Sequence, residues 1–262
     1  KELNFDVLLN LTHGGDGEDG ILASLFEFNN IKFVGPRVEA CSISSNKFLT
    51  KGYAQSCGVK VLDYKYFNKN DKIELDNYPV IVKPTRLGSS IGVSIVKNET
   101  ELQYALDVAF EFDTDIIIEP FINGIKEYNL AGCKINGEFV FSIIEEPAKA
   151  DFLDFDKKYL DFSRTSKAQV AAISDTLAEE IKSSFKKIYN TAFEGAIIRG
   201  DFFVVGEEVF LNEINPIPGS MANYLFDDFN AVLTNLSKSL PEKEKINITY
   251  EYVNKIQSAK GK

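Results

Sequence analysis

The stretch from Arg199 to Gly219 reads Arg-Gly-Asp-Phe-Phe-Val-Val-Gly-Glu-Glu-Val-Phe-Leu-Asn-Glu-Ile-Asn-Pro-Ile-Pro-Gly. Two apolar runs, Phe202 to Val205 and Val209 to Leu211, flank a glycine-containing turn, the pattern of a β-hairpin. A three-residue turn over 206–208 pairs Val205 with Val209. That register sets Asp201 opposite Glu213 and Arg199 opposite Asn215, all on one face because strand side chains alternate. Two opposed carboxylates repel, so a positive charge is expected between them. Two carboxylates and an amide form an all-oxygen ligand set suited to Mg²⁺ or Mn²⁺, and Mg²⁺ held this way keeps substrate phosphates as further ligands. A phosphorylated substrate is therefore expected.

Other residues fit that expectation. Pro79 to Pro84 reads as a strand whose otherwise apolar run ends in Lys83. The loop Thr85-Arg-Leu-Gly-Ser-Ser-Ile-Gly92 and the strand Val93 to Val96 follow. Backbone N–H groups, hydroxyls and a lysine together bind phosphate, although the loop joins two strands and so differs from a loop that opens a helix. Ser45 or Asn46 caps a helix carrying Lys47 and Lys51. A cation at Lys47, in the first turn, opposes the helix dipole unless it serves an anion, whereas the pair one turn apart reads as a solvated face. His13 ends the strand Phe5 to Leu11 and begins a glycine-rich turn before the helix Ile21 to Phe28; donation to a carboxylate and a plain turn histidine are equally weighted. Glu119 and Glu127, eight residues apart around Asn123-Gly124, are placed to hold adenine and ribose. Free N–H groups near Gly219, after the breaks at Pro216 and Pro218, suit an oxyanion.

The supporting elements alternate. A short strand spans 31–34, a strand 59–62 and a helix 98–112 opened by Asn98-Glu-Thr-Glu101, which resembles a capping box. The strand Asp115 to Pro120 follows, then a hairpin over 127–144, an irregular stretch 145–165 read as a lid, and a helix 167–190. At 262 residues, with 44% hydrophobic and 26% charged residues, two or three lobes are expected. The net charge of −10 opposes a nucleic-acid partner. No apolar run approaches a membrane span. Three cysteines without paired spacing point to free thiols and a cytoplasmic location, and a single histidine excludes imidazole-rich metal sites. The chain opens on a strand with no element before it, as a fragment does.

Taken together, His-Gly-Gly-Asp-Gly-Glu-Asp-Gly at 13–20, Val-Lys-Pro-Thr-Arg-Leu-Gly-Ser-Ser-Ile-Gly-Val at 82–93, Lys-Tyr at 158–159, Arg-Gly-Asp-Phe-Phe at 199–203 and Asn-Glu-Ile-Asn-Pro-Ile-Pro-Gly at 212–219 resemble the D-alanine–D-alanine ligases of the ATP-grasp superfamily. The resemblance spans nearly the whole chain. It implies an α/β (α+β) ATP-grasp fold with a truncated N-terminal lobe at 1–40, a central lobe at 41–119 and a C-terminal lobe at 120–262. It also implies a homodimer. Lys47, Lys83 and Lys158 would contact ATP phosphates under the loop carrying Ser89 and Ser90, while Glu119, Ile122, Glu127 and Phe203 would hold the nucleoside. Asp201, Glu213 and Asn215 would hold two Mg²⁺, and His13 would orient the first D-alanine carboxylate. That carboxylate would attack the γ-phosphate, and a second D-alanine amine would attack the acylphosphate. Arg199 and the Gly219 N–H would stabilise the oxyanion, with Ser89 and Tyr159 beside the reacting groups. Tyr159 favours an amine acceptor over D-lactate. Leu225 matches the family at the second carboxylate, but Tyr224 stands where many members carry a serine. The family's opening strand and Gly-rich segment do not precede this stretch, which leaves two alternatives: another carboxylate–amine ligase of the superfamily, or a nucleotide-binding fragment without ligation.

Overall fold

In the computed structural model, which describes residues 4–147, 168–242 and 249–260, the residues singled out above hang from three sheets. The first is a parallel pair, β1 (Leu8–Leu9) and β2 (Phe33–Val34), linked by α1 (Ile21–Phe28). The expected strand 5–11 thus shrinks to its centre. Asn10 N still donates to Val34 O at 3.0 Å. Beyond Pro36 the chain enters α2 (Val38–Ser44), absent from the sequence reading. Its serines and cysteine are poor helix formers, and seven residues show too little periodicity to betray it.

Helix α3 (Lys47–Ser56) begins at Asn46, whose side chain accepts from Phe48 N at 2.9 Å and Leu49 N at 3.2 Å. Residues 59–62, expected as a strand, form none. They run beside the C-terminal sheet, held by Leu211 N donating to Lys60 O at 2.8 Å. The strand comes later as β3 (Lys65–Asn68), in the order β3-β6-β4-β5 with β4 (Val80–Pro84), β5 (Ser94–Val96) and β6 (Asp115–Pro120), every pairing antiparallel. One face of this sheet is covered by α4 (Glu99–Phe112), whose Leu102, Ala105, Leu106 and Ala109 recur at helical spacing and pack on Val80, Val82 and Ile118. Asn98 caps it through Thr100 N, but Glu101 reaches Lys97 N at 2.8 Å rather than the cap's own amide.

The third sheet, order β10-β9-β7-β8, is built of β7 (Lys126–Ile135), β8 (Glu138–Glu145), β9 (Ile198–Val205) and β10 (Glu208–Asn215). Behind it lies α5 (Asp175–Ala192), which starts at Ser174 and buries Ile181, Phe185, Ile188 and Tyr189 in the largest core. The Tyr189 hydroxyl, fully buried, donates to Ala196 O at 2.8 Å and accepts from Lys134 N at 3.2 Å, so its burial leaves no polar atom stranded. The chain closes with α6 (Phe229–Lys238) and the exposed α7 (Glu251–Lys260).

Just before β5, Gly92 has φ +70°, and a Cβ there would meet Pro84 Cγ at 2.7 Å and Phe112 Cδ2 at 2.9 Å. Both strain and clash oppose a side chain. Gly92→Ala is expected to destabilise the protein by about 1–3 kcal/mol, which urea unfolding would measure.

Candidate active site

The β9–β10 hairpin brings its acids together, though not by the expected turn. Val205 pairs with Glu208 across a two-residue turn, one residue tighter than read from the sequence, and Leu211 pairs with Phe202. A bulge at Asn212 then restores the lost residue, so Glu213 faces Asp201 and Asn215 faces Arg199. Asp201, 2% exposed, accepts from Arg199 Nε at 2.7 Å, from Arg199 Nη2 at 2.8 Å and from Asn215 Nδ2 at 2.9 Å. The four residues of the expected cluster therefore share one face.

Electrostatics confirm how close the acids lie. Burial pushes the Asp201 carboxyl up to about 6; Arg199 opposes that rise, and Glu213, which shares a hydrogen bond with it, adds to it. Burial works against Glu213 as well, but Lys47, Arg199 and Lys83 outweigh it and hold this carboxyl below its ordinary value. The site thus contains one firmly ionised acid and one that shares the penalty of like charge. Among the described residues no three His, Cys, Asp or Glu side chains gather as a metal cluster. The donor set of two acids and one amide nevertheless suits a hard divalent cation. Asn215 spends its Nδ2 on Asp201, leaving Oδ1 as its ligand atom.

Facing the acids are lysines from the central sheet and α3. Lys47 N donates to Thr85 O at 2.8 Å, and Lys47 Nζ donates to Leu87 O, which ties the start of α3 to the Gly/Ser loop. Burial lowers the Lys47 pKa, with Glu213 pulling the other way. Ser89 and Ser90 both take positive φ, 64° and 58°, a conformation that non-glycine residues adopt at a cost. Lys83 donates to Glu119 Oε2, and Lys51 forms an ion pair with Glu119 Oε1. Lys51 is 2% exposed, so the solvated face expected for the lysine pair is corrected: β6 and Tyr64 cover it. Glu119, expected to face a nucleoside, is itself buried between these two ammonium groups.

The base of the loop is clamped by acids that sequence reading passed over. Asp113 accepts from Thr85 Oγ1 at 2.8 Å and Arg86 N at 2.9 Å, while Asp115 accepts from Tyr66 Oη at 2.8 Å, Asn68 Nδ2 at 2.9 Å and Arg86 Nη2 at 2.8 Å. Burial alone would raise Asp115, but the bonds from Asn68, Tyr66 and Arg86 win and bring it to about 2. A depressed folded pKa stabilises above the unfolded value of roughly 3.9 and is lost as pH falls toward the folded one. Urea stability is therefore expected to drop as pH falls from about 4 to about 2. Asp115→Asn should remove that part of the pH dependence, and an unchanged profile would show that Asp115 does not carry it.

The remaining residues are dispersed around this centre. His13 is exposed and its Nδ1 lies 3.5 Å from Glu18 Oε1. Burial raises the Glu18 carboxyl, His13 lowers it and Glu213 adds to the rise, which sets the His13–Glu18 pair on the Glu213 side. Glu18 thus serves His13 rather than α1, whose first amide is met by Asp19 instead. Gly219 opens a tight helical turn to Leu225 in which Ser220, Met221 and Ala222 all take positive φ. Leu225 is buried and Tyr224 lies near enough to Arg199 to favour its charged form. Phe203, buried, pairs with Glu127 across β9 and β7, and Ile122 lies in the turn between β6 and β7. Lys158, Tyr159 and the expected lid fall outside the described residues.

An antiparallel sheet carrying lysines and a Gly/Ser loop, set against a second antiparallel sheet whose end carries opposed acids, defines an ATP-grasp ligase fold. The family profile described as "D-ala D-ala ligase C-terminus" matches residues 53–230. The D-alanine–D-alanine ligase of Wolinella succinogenes is 62% identical over 263 residues, covering 100% of this chain and 76% of that protein. The crystal structure of the Helicobacter pylori D-alanine–D-alanine ligase superposes with a TM-score of 0.82 at 52% identity, over 93% of this chain and 73% of that one. A Bacillus anthracis D-alanine–D-alanine ligase crystallised with ATP shares the fold, with a TM-score of 0.68 at 22% identity over 90% and 77% of the two chains. The chain belongs to the D-alanine–D-alanine ligases. Among the described residues no helix is long and apolar enough to cross a membrane.

Proposed function

We propose that this chain joins two D-alanines into D-alanyl-D-alanine at the expense of ATP, for peptidoglycan synthesis. The observation that carries the reading is the pair Asp201 and Glu213, opposed on one sheet face and felt electrostatically by Lys47 and Lys83. A carboxylate is a poor electrophile. Its oxygen attacks the γ-phosphorus of ATP, the bond to the β-phosphate oxygen breaks and ADP leaves. The amine of the second D-alanine then attacks the acyl carbon of the resulting D-alanyl phosphate, loses a proton and expels inorganic phosphate.

In this reading Lys47, Lys83 and Lys158 neutralise the phosphates, and the loop of Ser89 and Ser90 covers them. Glu119, Ile122, Glu127 and Phe203 flank the nucleoside, with Glu119 acting from within its ion pairs. Asp201, Glu213 and Asn215 hold Mg²⁺ or Mn²⁺, two ions by the family resemblance, which supply Lewis-acid neutralisation of the phosphate oxygens. His13 meets the first carboxylate. Arg199 and the Gly219 N–H meet the oxyanion, Tyr224 and Leu225 the second carboxylate, with Ser89 and Tyr159 beside the reacting groups. The lobes 1–40, 41–119 and 120–262 each centre on one sheet, which supports that division. The cytoplasmic location agrees with the free thiols of Cys41, Cys57 and Cys133. A homodimer is carried from the family resemblance, and light scattering on a gel-filtration peak would test it.

Incubation with ATP, magnesium chloride and D-alanine should give ADP and dipeptide in equal amounts, read by mass spectrometry. Phosphate release without dipeptide would reject the ligase reading.

A further inference from the structure

Lys51 lies one turn beyond Lys47 on α3 and is among the most buried large side chains, with a relative exposure of 2%. Its ammonium is 5.5 Å from the centre of the Tyr64 ring and forms an ion pair with Glu119 Oε1, while Lys83 takes Oε2. One carboxylate thus answers two ammonium groups. Burying a charge is costly unless it is matched, so a lone Glu119–Lys83 pair would be the cheaper arrangement for the fold alone. Within this trio the added lysine leaves one ammonium more than Glu119 can match. Lys83, the more exposed of the two, with an 11% exposed side chain against 2% for Lys51, is the one at which that surplus opens outward.

We infer that Lys51 is a positioning residue of the nucleotide site: by occupying and neutralising Glu119, it leaves the Lys83 ammonium available to an anionic ligand. The inference rests on the assignment of Lys83 to ATP phosphates given above. Lys51 touches no ligand and acts only through Glu119.

The test is a double-mutant cycle on the full chain, with Lys51→Met, Glu119→Gln and the pair, titrated with a fluorescent N-methylanthraniloyl-ADP in magnesium chloride. Lys51→Met alone should weaken binding on the order of tenfold, the scale at which groups standing behind a ligand-binding residue act. In the Glu119→Gln background the same change should alter binding by no more than about twofold, because the carboxylate through which Lys51 acts has gone. KM for ATP should rise in Lys51→Met while KM for D-alanine stays unchanged. Binding unchanged in Lys51→Met, or the same loss in both backgrounds, would overturn the inference, since a purely structural lysine costs the same with or without Glu119. Should circular dichroism show Lys51→Met unfolded, Lys51→Gln, equally neutral but polar, is read in its place with the same expectations. Failure of the unaltered protein to bind the nucleotide would instead refute the ATP assignment itself.

Discussion

Glu213→Gln is expected to abolish D-alanine-dependent ADP formation while leaving the protein folded and at least as resistant to urea. Glu213 faces Asp201 across β10 and β9 and makes the buried Asp201 carboxyl harder to ionise, while Lys47, Arg199 and Lys83 keep Glu213 itself ionised. Replacing one by an amide removes that repulsion, so the fold gains or stays level. The same change takes away half of the acidic charge opposite Lys47 and Lys83. Phosphate oxygens are then left without the cation that a pair of acids and an amide would hold. Loss of activity without loss of stability marks a residue kept for chemistry. Retained turnover would overturn the assignment of Glu213 to a metal.

Arg199→Ala should lower kcat on the order of 10²- to 10³-fold, the range for losing one donor to a developing oxyanion. Its Nε and Nη2 both donate to Asp201. One edge of the guanidinium thus fixes the acid, and the other is the edge proposed to meet the oxyanion. Arg199→Lys should rescue poorly, because an ammonium cannot keep the two parallel bonds to Asp201 and still present a second edge. Deleting the guanidinium also leaves Asp201 buried beside Glu213, so the Asp201 pKa should rise further above about 6. Steady-state kinetics against D-alanine and ATP separate the outcomes, and an unchanged kcat would remove Arg199 from the reaction.

The hairpin was legible because alternation and a glycine turn fix a register to within a residue, and the acids at its ends then fall opposite one another. It came out right at the site through two departures that cancel. The turn at Gly206–Glu207 is one residue tighter than expected, and the bulge at Asn212 returns that residue before Glu213. A bulge has no strong local signature, so only the functional end of the register could be anticipated. The expected run 202–205 extends back into one strand from Ile198, since Gly200 also pairs, with Ile214. Helices with a polar cap before an apolar stripe, such as the one Asn98 begins, were readable from spacing. The short α2 was not, for want of periodicity.

Lys51 shows the other limit. Its position four residues after Lys47 reads as a solvated face, and only the end of β6, distant in sequence, turns it inward against Glu119. Asp113 and Asp115 were likewise invisible as loop anchors, because their partners Thr85, Arg86, Tyr66 and Asn68 come from other parts of the chain. Motif residues could be picked out from their spacing, and the groups that hold them could not.

The most direct measurement is Mn²⁺ binding followed by electron paramagnetic resonance, with a non-hydrolysable ATP analogue present, on the unaltered chain and on Glu213→Gln. If facing carboxylates persist in this ribbon because a divalent ion joins them to a nucleotide, the unaltered protein should take up Mn²⁺ from solution and the variant should leave it free. Equal uptake by both proteins would place the ion elsewhere and contradict the reading of Asp201 and Glu213 as its holders.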